Sequence, residues 1–399
     1  MYDVIIIGAG IAGASAAYHC TALGLKVLVL EQGEHIAPKA SGNPAGILYP
    51  YMASNYDAMT AFYLQGLAHS ISLLQQLDAK GDFHSLCGML HLPKQKHELE
   101  ELQGLSARLG LPPQIMQLHA QGFFMKASGW VNVPAFCEAM LAGVDLRLGV
   151  TVVATQHEDD KWHVYSDSGE QFCASHLVIA SAYEAEQLLP NHHLPMRRIR
   201  GQITYLPAEI LQNAPNYVLC YGGYLTPAIK IKTGDGVHYL GATFEKGRDD
   251  LQVDEAGHQT NIKLLQQHFE SILCSNIDVS QLHGRAAFRT VSGDRFPIIG
   301  AAYDEHKLHL QLDATKYSKF TAQNLQIPPL PNLYVSLAHG ARGITSAPLA
   351  GAEIASKISN SPYNIFNDEM TKLLSPSRFA LRAWRKKTNS PLLGELVQK

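Results

Sequence analysis

The chain has 399 residues, 46% hydrophobic and 17% charged, with 32 Lys+Arg against 35 Asp+Glu and a formal net charge of −3. That is the composition of a globular protein with room for one large core or two modest domains. It excludes a global field that draws in nucleic acid, so any such contact must be a local patch, and no stretch approaches the about 18 uninterrupted apolar residues that span a bilayer.

In chain order, Val4-Ile5-Ile6-Ile7 is a short apolar run followed at once by Gly8-Ala9-Gly10-Ile11-Ala12-Gly13. An alanine-rich run to Cys20, a second apolar run from Val27 to Leu30, and Glu31 come next. Strand, tight turn, helix, strand and acid in this register predict a dinucleotide-binding βαβ unit. Gly8 permits the turn, Gly10 lets the backbone approach a pyrophosphate, and Gly13 lets the helix lie close on the strand. The helix start at Ile11 and Ala12 offers free N–H groups to phosphate. Glu31, eighteen residues past Gly13, is placed to accept hydrogen bonds from ribose hydroxyls. The motif does not distinguish FAD from NAD and names no reaction.

The loop that follows contains Ser41-Gly42-Asn43-Pro44-Ala45-Gly46-Ile47-Leu48-Tyr49-Pro50, small residues that would let the chain pass close to a cofactor. Apolar positions at helical spacing predict helices over 56–77 and 98–109, and a third over 134–141 begins on Pro134. Short strands are expected within 81–93, at 123–125 and at 130–131. From Val144 the period becomes two, so 150–155, 162–166 and 171–173 predict a three-stranded meander. The apolar run 177–182 then predicts a strand returning to a parallel sheet.

Segments 200–207, 217–227, 228–232 and 238–243 predict an antiparallel sheet in a second domain, with a turn at Gly234-Asp235-Gly236. A helix is expected over 255–273, a strand over 284–288 ending before Arg289, a break at 328–331 and a last buried strand at 333–337. Gly340-Ala341-Arg342-Gly343-Ile344-Thr345 then repeats the strand–glycine loop–helix logic of the N-terminus, with the helix expected from Pro348 to Ile358. Segments 1–78, 128–198 and 286–360 are assigned to the nucleotide domain, 79–127 and 199–285 to the second domain, and 361–399 to a basic helical tail.

Six cysteines without a CxxC pair read as reduced residues of a cytoplasmic protein. Nineteen histidines show no HxxxH or clustered Cys/His spacing, so no metal site is expected. Between Ser377 and Thr388, Arg378, Arg382, Arg385, Lys386 and Lys387 are interleaved with Phe379 and Trp384, with no acid. This fits an RNA-binding face or a merely solvated helix. Arg197, Arg198 and Arg200 form a second basic candidate.

The order of these pieces resembles the D-amino-acid oxidase and glycine oxidase class of flavoproteins. It is most similar to the oxidoreductase half of the MnmC-type tRNA-modifying family. The motifs that carry the resemblance are Gly8 to Gly13, Ser41 to Gly46, Arg200-Gly201-Gln202, Cys220 to Pro227, Gly241-Ala242-Thr243, His283-Gly284-Arg285, Gly340 to Gly343 and Ser346 to Leu349. Ile199-Arg200 and Phe288-Arg289-Thr290 are variants of the usual valine-arginine and leucine-arginine-proline.

The resemblance implies an α/β fold, a Rossmann-like FAD-binding domain interleaved with an antiparallel-sheet substrate domain, and FAD as cofactor. It implies tRNA as partner and removal of a carboxymethyl group from 5-carboxymethylaminomethyl-2-thiouridine, leaving glyoxylate. Family members carry a methyltransferase domain that this sequence does not show, so a separate methyltransferase is expected to act next. Arg289 is the candidate anchor for the substrate carboxylate, since a planar bidentate donor suits it, with Tyr224 beside it. Gly340, Arg342, Gly343, Ile344 and Thr345 are expected to touch the flavin, with a helix start at 346–348 near its pyrimidine ring. Val152 is expected to hold adenine through its backbone. No general base is assigned. The alternatives are an oxidase of free glycine, sarcosine or a D-amino acid, a non-catalytic flavin-binding protein, and an NAD-dependent enzyme.

Overall fold

A computed structural model describes all residues except 54, 94–97, 231–235, 270–271, 273–276, 315–325, 363 and 389–399, together with a few side chains inside helices, that of Lys386 among them. Among the described residues the strands form three sheets.

The first sheet is built on the N-terminal unit. Strand Tyr2–Ile7 lies parallel between Val27–Leu30 and Gln171–Ile179, and Asp145–Arg147 extends the far edge. Strand Pro329–Leu337 runs parallel to Gln171–Ile179 and carries Ile298–Tyr303 antiparallel on its other side. Val4 to Ile7 and Val27 to Leu30 are buried on both faces, which is why these strands read as continuous apolar runs rather than alternating ones.

Helix Ile11–Ala22 covers one face and packs on helix Gly343–Ile358. The contact is backbone-close: a Cβ on Gly351 would sit 2.5 Å from the Ser15 carbonyl carbon. A Cβ on Gly343 would lie 3.1 Å from Ile11 Cγ2. Contacts of 11 with 343 and 15 with 351 mean that the two helices run the same way and present their N-termini side by side.

The second sheet runs in the order His283–Ser292, Met196–Pro207, Gly236–Gly241, Tyr224–Leu225, Val218–Cys220, Met89–His91, Gly122–Met125 and Gln117–His119, with Ile229–Lys230 paired to Gly236–Gly241. A small third sheet joins Gly46–Leu48, Gly129–Val131 and His84–Ser85. The boundaries expected at 198/199 and 285/286 fall inside continuous strands of the second sheet.

Several elements differ from the sequence reading. Residues 171–179 are one strand, not a meander strand plus a separate parallel one, because no turn residue interrupts Ala174-Ser175-His176. Its first half pairs antiparallel with Lys161–Ser166 and its second half parallel with Tyr2–Ile7. Residues 217–227 form two strands joined by a turn in which Tyr221 N donates to the Gly223 carbonyl (3.0 Å) and Gly222 has φ +98°. The helix from Glu255 ends at Gln266, and the expected break at 328–331 opens a strand. Strands Gln117–His119, Asp145–Arg147 and Ile298–Tyr303 and helix Glu305–Ala314 were not expected. The turn at Gly234-Asp235-Gly236 lies mostly outside the described residues.

The last long helix starts at Gly343, not Pro348. Pro348 has no N–H, so the Ile344 carbonyl loses its intrahelical donor. The Ser70 hydroxyl from helix Ala58–Leu77 replaces it at 2.8 Å. A helix start with a proline in the first turn and a helix with a compensated internal proline look alike in sequence; the neighbouring helix decides.

Candidate active site

The N-terminal loop has the geometry that its glycines require. Gly8 has φ +107°, and a Cβ there would lie 2.8 Å from the Ala180 carbonyl oxygen. At Gly13 a Cβ would overlap the Gly8 carbonyl. Glu31 is buried and its two carboxylate oxygens accept from Ala9 N (2.7 Å) and Gly33 N (2.9 Å), so the acid also pins the glycine loop. Gly149 N and Val150 N donate to the Gly33 and Glu31 carbonyls (3.0 and 2.9 Å). These bonds bring the start of the strand holding Val152 alongside Glu31.

The loop from Pro38 to Ile47 links this motif to the second sheet. Ser41 Oγ accepts from Ile11 N (2.9 Å) at the helix start. Asn43 Nδ2 donates to the Tyr224 hydroxyl (3.4 Å), and Ala45 packs with Ile203 and Tyr239. Arg285 donates to the Pro38 carbonyl (3.2 Å) and the Lys39 carbonyl. Gly46 must be glycine for packing: a Cβ would lie 2.9 Å from Val133 Cγ2 and closer still to Ile344 than an ordinary contact allows. Ile47 pairs with Trp130 in the small sheet.

The register of the second sheet sets what faces that loop. Ile199 pairs with Arg289, Ile203 with both Arg285 and Gly241, and Gly241 with Tyr224. Paired residues and every second residue share a face, so Arg285, Arg289 and Tyr224 project from one side. Arg289 lies in the middle of its strand rather than after it. Its guanidinium crosses Gly201, where a Cβ would sit 2.6 Å from Cζ. Its contacts in the protein are the Thr243 carbonyl, 3.4 Å from both Nη1 and Nη2. No carboxylate pairs with it among the described residues. Burial lowers its pKa from the usual arginine value, and the nearby Tyr224 acts the other way. Burial pushes the Tyr224 hydroxyl up to about 12, so it keeps its proton for donation.

The C-terminal glycine loop closes the third side. Arg342 caps the helix from Gly343, and its guanidinium lies over the Tyr49 and Tyr51 rings at 5.7 and 5.3 Å. Arg342 Nε is buried without a hydrogen-bond partner. His339, just before Gly340, bonds to Ser336 Oγ (3.0 Å) and Ser346 Oγ (2.7 Å), and burial lowers its pKa to about 4. Ser346 Oγ in turn donates to the Arg342 carbonyl (2.9 Å), fixing the imidazole as donor at Nδ1 and acceptor at Nε2. Thr345 Oγ1 donates to the Tyr49 carbonyl (3.1 Å).

These residues fit a dinucleotide cofactor. Two parallel helix N-termini, glycines that leave no room for side chains, and a buried guanidinium nitrogen without a partner converge around one bridging loop. Sequence reasoning missed the Tyr49–Tyr51 platform, Gly201 beneath Arg289 and the clamp made by Arg285. Of these, Gly201 and Arg285 stood in motifs that carried the resemblance, without an assigned role of their own.

The basic candidates fare differently. Arg200 is fully buried, bonded to Glu245 (2.8 Å), Gln202 (3.2 Å) and the Asp250 carbonyl (3.0 Å), so it is a structural ion-pair residue and not an RNA contact. Arg378 is also buried and holds Asp294 through Nε (2.9 Å) and Nη2 (3.0 Å). Burial pushes Asp294 up, and Arg378, together with Ser292 and Arg382, more than offsets this, leaving the carboxyl below its usual value. Arg382 is exposed but also meets Asp294. Arg385 is exposed, whereas the Lys386 side chain lies outside those described. Arg198 is exposed, 3.3 Å from Asp249, with its guanidinium over the Tyr183 and Phe288 rings. Among the described residues no group of three or more His, Cys, Asp or Glu is placed to hold a metal, and no helix is long and apolar enough to cross a membrane.

A family model described as FAD dependent oxidoreductase matches residues 3–357. Two curated relatives bear the name tRNA 5-methylaminomethyl-2-thiouridine biosynthesis bifunctional protein MnmC. That of Methylobacillus flagellatus is 33% identical over 398 residues, covering 95% of this chain and 59% of the relative. That of Ectopseudomonas mendocina is 33% identical over 412 residues, covering 98% and 61%. The chain therefore spans only about 59–61% of the length of these relatives. Glycine oxidase from Geobacillus kaustophilus superposes with a TM-score of 0.72 at 19% identity, covering 94% of this chain and 98% of that one. Iminodiacetate oxidase from Chelativorans sp. BNC1 gives 0.70 at 22% identity, covering 94% and 98%. At these identities the structural likeness shows the fold.

Proposed function

The chain belongs to the family of FAD-dependent oxidoreductases, and on that premise we propose that it removes the carboxymethyl group from 5-carboxymethylaminomethyl-2-thiouridine at the wobble position of tRNA. The products are the 5-aminomethyl nucleoside and glyoxylate. The names of the relatives support a step in the biosynthesis of 5-methylaminomethyl-2-thiouridine. The observation that carries the reading is Arg289: a partly buried guanidinium beside Tyr224, touching only one carbonyl at 3.4 Å and no carboxylate among the described residues. A buried charge without a counterion is costly. An anionic substrate that brings its own carboxylate supplies the missing partner, and an N-substituted glycine does so.

Residues 8–13, Glu31 and the backbone near Val152 would hold the adenosine half of the cofactor, and the loop from Ser41 to Ile47 with residues 340–345 the flavin half. Bound FAD supplies the two-electron acceptor. The substrate loses hydride from the carbon between nitrogen and carboxylate, and a C=N bond forms. Water adds to that carbon, and the C–N bond then breaks, leaving the amine on the nucleoside and the aldehyde on glyoxylate. Arg289 fixes the carboxylate as a fork, which orients the adjacent carbon. The Tyr224 hydroxyl, which keeps its proton, donates a hydrogen bond to the substrate. A neutral amine can lose hydride without a general base, and none is assigned.

A tRNA substrate would fit a cytoplasmic protein, and the amine product would be a substrate for a methyltransferase, the partner we infer for the next step. The deciding experiment incubates the purified flavoprotein with tRNA isolated from a strain lacking this activity, then resolves nucleosides and glyoxylate by mass spectrometry. Equimolar glyoxylate and aminomethyl nucleoside are expected. Unchanged nucleosides, with flavin bleached by free glycine, would overturn the reading in favour of a free amino-acid oxidase.

A further inference from the structure

We propose that Phe244 is a nucleobase-stacking residue at the rim of the Arg289 pocket and receives the reacting uridine itself; this rests on the RNA reading above. Phe244 is 63% exposed, in a segment whose other residues are anchored. Thr243 is buried, its N donates to the Gln202 carbonyl (3.0 Å), and its carbonyl is the one that Arg289 touches. Glu245 bridges antiparallel to Arg200 and binds the Arg200 guanidinium.

The direction of the Phe244 side chain follows from its neighbours. Glu245, as the bridge partner of Arg200, shares its face, and its carboxylate accepts from Thr243 Oγ1 at 2.5 Å. That face carries Arg200, whereas Ile199, Gly201 and Arg289 occupy the other. Phe244, the residue next to Glu245, is directed away from that face, toward the Arg289 side. A large ring held at that position by fixed neighbours, and left out of every apolar core, is a surface for a flat partner.

The substrate chemistry requires such a surface. A carboxylate joined to a pyrimidine ring through a methylene, a nitrogen and a second methylene sits about 5 Å from that ring. With the carboxylate on Arg289, the base is therefore still at the pocket rim, one residue from Thr243. Base–aromatic stacking is tolerant of sequence and suits a splayed-out anticodon base.

The test uses the holoprotein and tRNA carrying the carboxymethylaminomethyl group, following glyoxylate release. Phe244→Ala should raise KM about tenfold, with kcat at saturating tRNA and flavin content kept, and Phe244→Trp should restore KM. An unchanged KM in Phe244→Ala, while the wild type turns over tRNA, would overturn the stacking role and leave the proposed function standing. Parallel loss of kcat and flavin in both variants would also overturn it, by making the residue structural. A wild type inert toward this tRNA would remove the proposed function and the stacking role together.

Discussion

Replacing Arg289 by Met separates an anchor from a structural ion pair, because the two roles predict opposite stability changes. The guanidinium has only long contacts to the Thr243 carbonyl, at 3.4 Å, and burial lowers its pKa. Removing it deletes a buried charge without stranding a partner, so the unfolding free energy should stay level or rise by about 1 kcal/mol. In the complex the same group makes two charge-assisted hydrogen bonds, each contributing about 1.5–3 kcal/mol. Allowing for non-additivity, about 3–4 kcal/mol of substrate binding is lost, a fall of about 10²- to 10³-fold in kcat/KM. Arg289→Lys keeps the charge but not the fork and should recover only part of this. The assay is glyoxylate release from tRNA, read beside flavin absorbance and urea midpoints. A variant with turnover within about threefold of wild type, or one that loses about 3–5 kcal/mol of stability as broken buried pairs do, would refute the assignment.

Gly201→Ala should imitate Arg289→Lys without touching the arginine: the new Cβ, 2.6 Å from Cζ, displaces a movable guanidinium and spares the strand. KM rising about tenfold with normal flavin content is the expected result, and an unchanged KM would contradict the placement. Arg378→Ala leaves Asp294 half-buried and short of its main partner, so it should lower stability by about 3–5 kcal/mol. It should not alter the salt dependence of tRNA binding, whereas the double change Arg382→Ala, Arg385→Ala should flatten that dependence by up to about two phosphate contacts. His19 and His339 are both lowered by burial to about 4 from 6.5. Between those values the unfolded chain binds more protons than the folded one, so stability is full above pH 6.5 and declines as pH falls toward 4. The loss is at most about 3 kcal/mol per histidine. His339→Gln should flatten this acid limb in urea titrations, and an unaltered limb would show that His339 is not a source of it.

What the sequence disclosed follows from how local each feature is. The nucleotide motif closes within thirty-one residues, and its helix, glycines and acid all sit where short-range rules put them. The substrate face is assembled by register between strands far apart in sequence, such as Ile199 with Arg289, and by loop contacts such as Asn43 with Tyr224 and Pro38 with Arg285. The misread arginines have the same cause. In a basic run every arginine looks alike, but Asp294 lies 84 residues before Arg378 and neutralises it, and Glu245 does the same to Arg200 from 45 residues away. Charge runs reveal which residues are cationic; only the fold reveals which cations are already paired.

That distinction also assigns the two arginines of the substrate face. Arg285 and Arg289 are four residues apart on one strand and share a side, so spacing alone cannot rank them. Their partners can. Arg285 directs its donors to the carbonyls of Pro38 and Lys39, on the loop whose Ser41 accepts from Ile11 and whose Asn43 reaches Tyr224. It therefore ties the nucleotide motif to the substrate sheet and sets the height of that loop above Tyr224. Arg289 has one long-range carbonyl contact and a glycine beneath it. Arg285 commits Nη2 to two backbone oxygens of that loop, whereas Arg289, with no acid beside it among the described residues and a glycine beneath it, is the better placed of the two to meet a carboxylate. On the proposed function, anchoring and clamping are thus divided between two residues of the same type on the same strand.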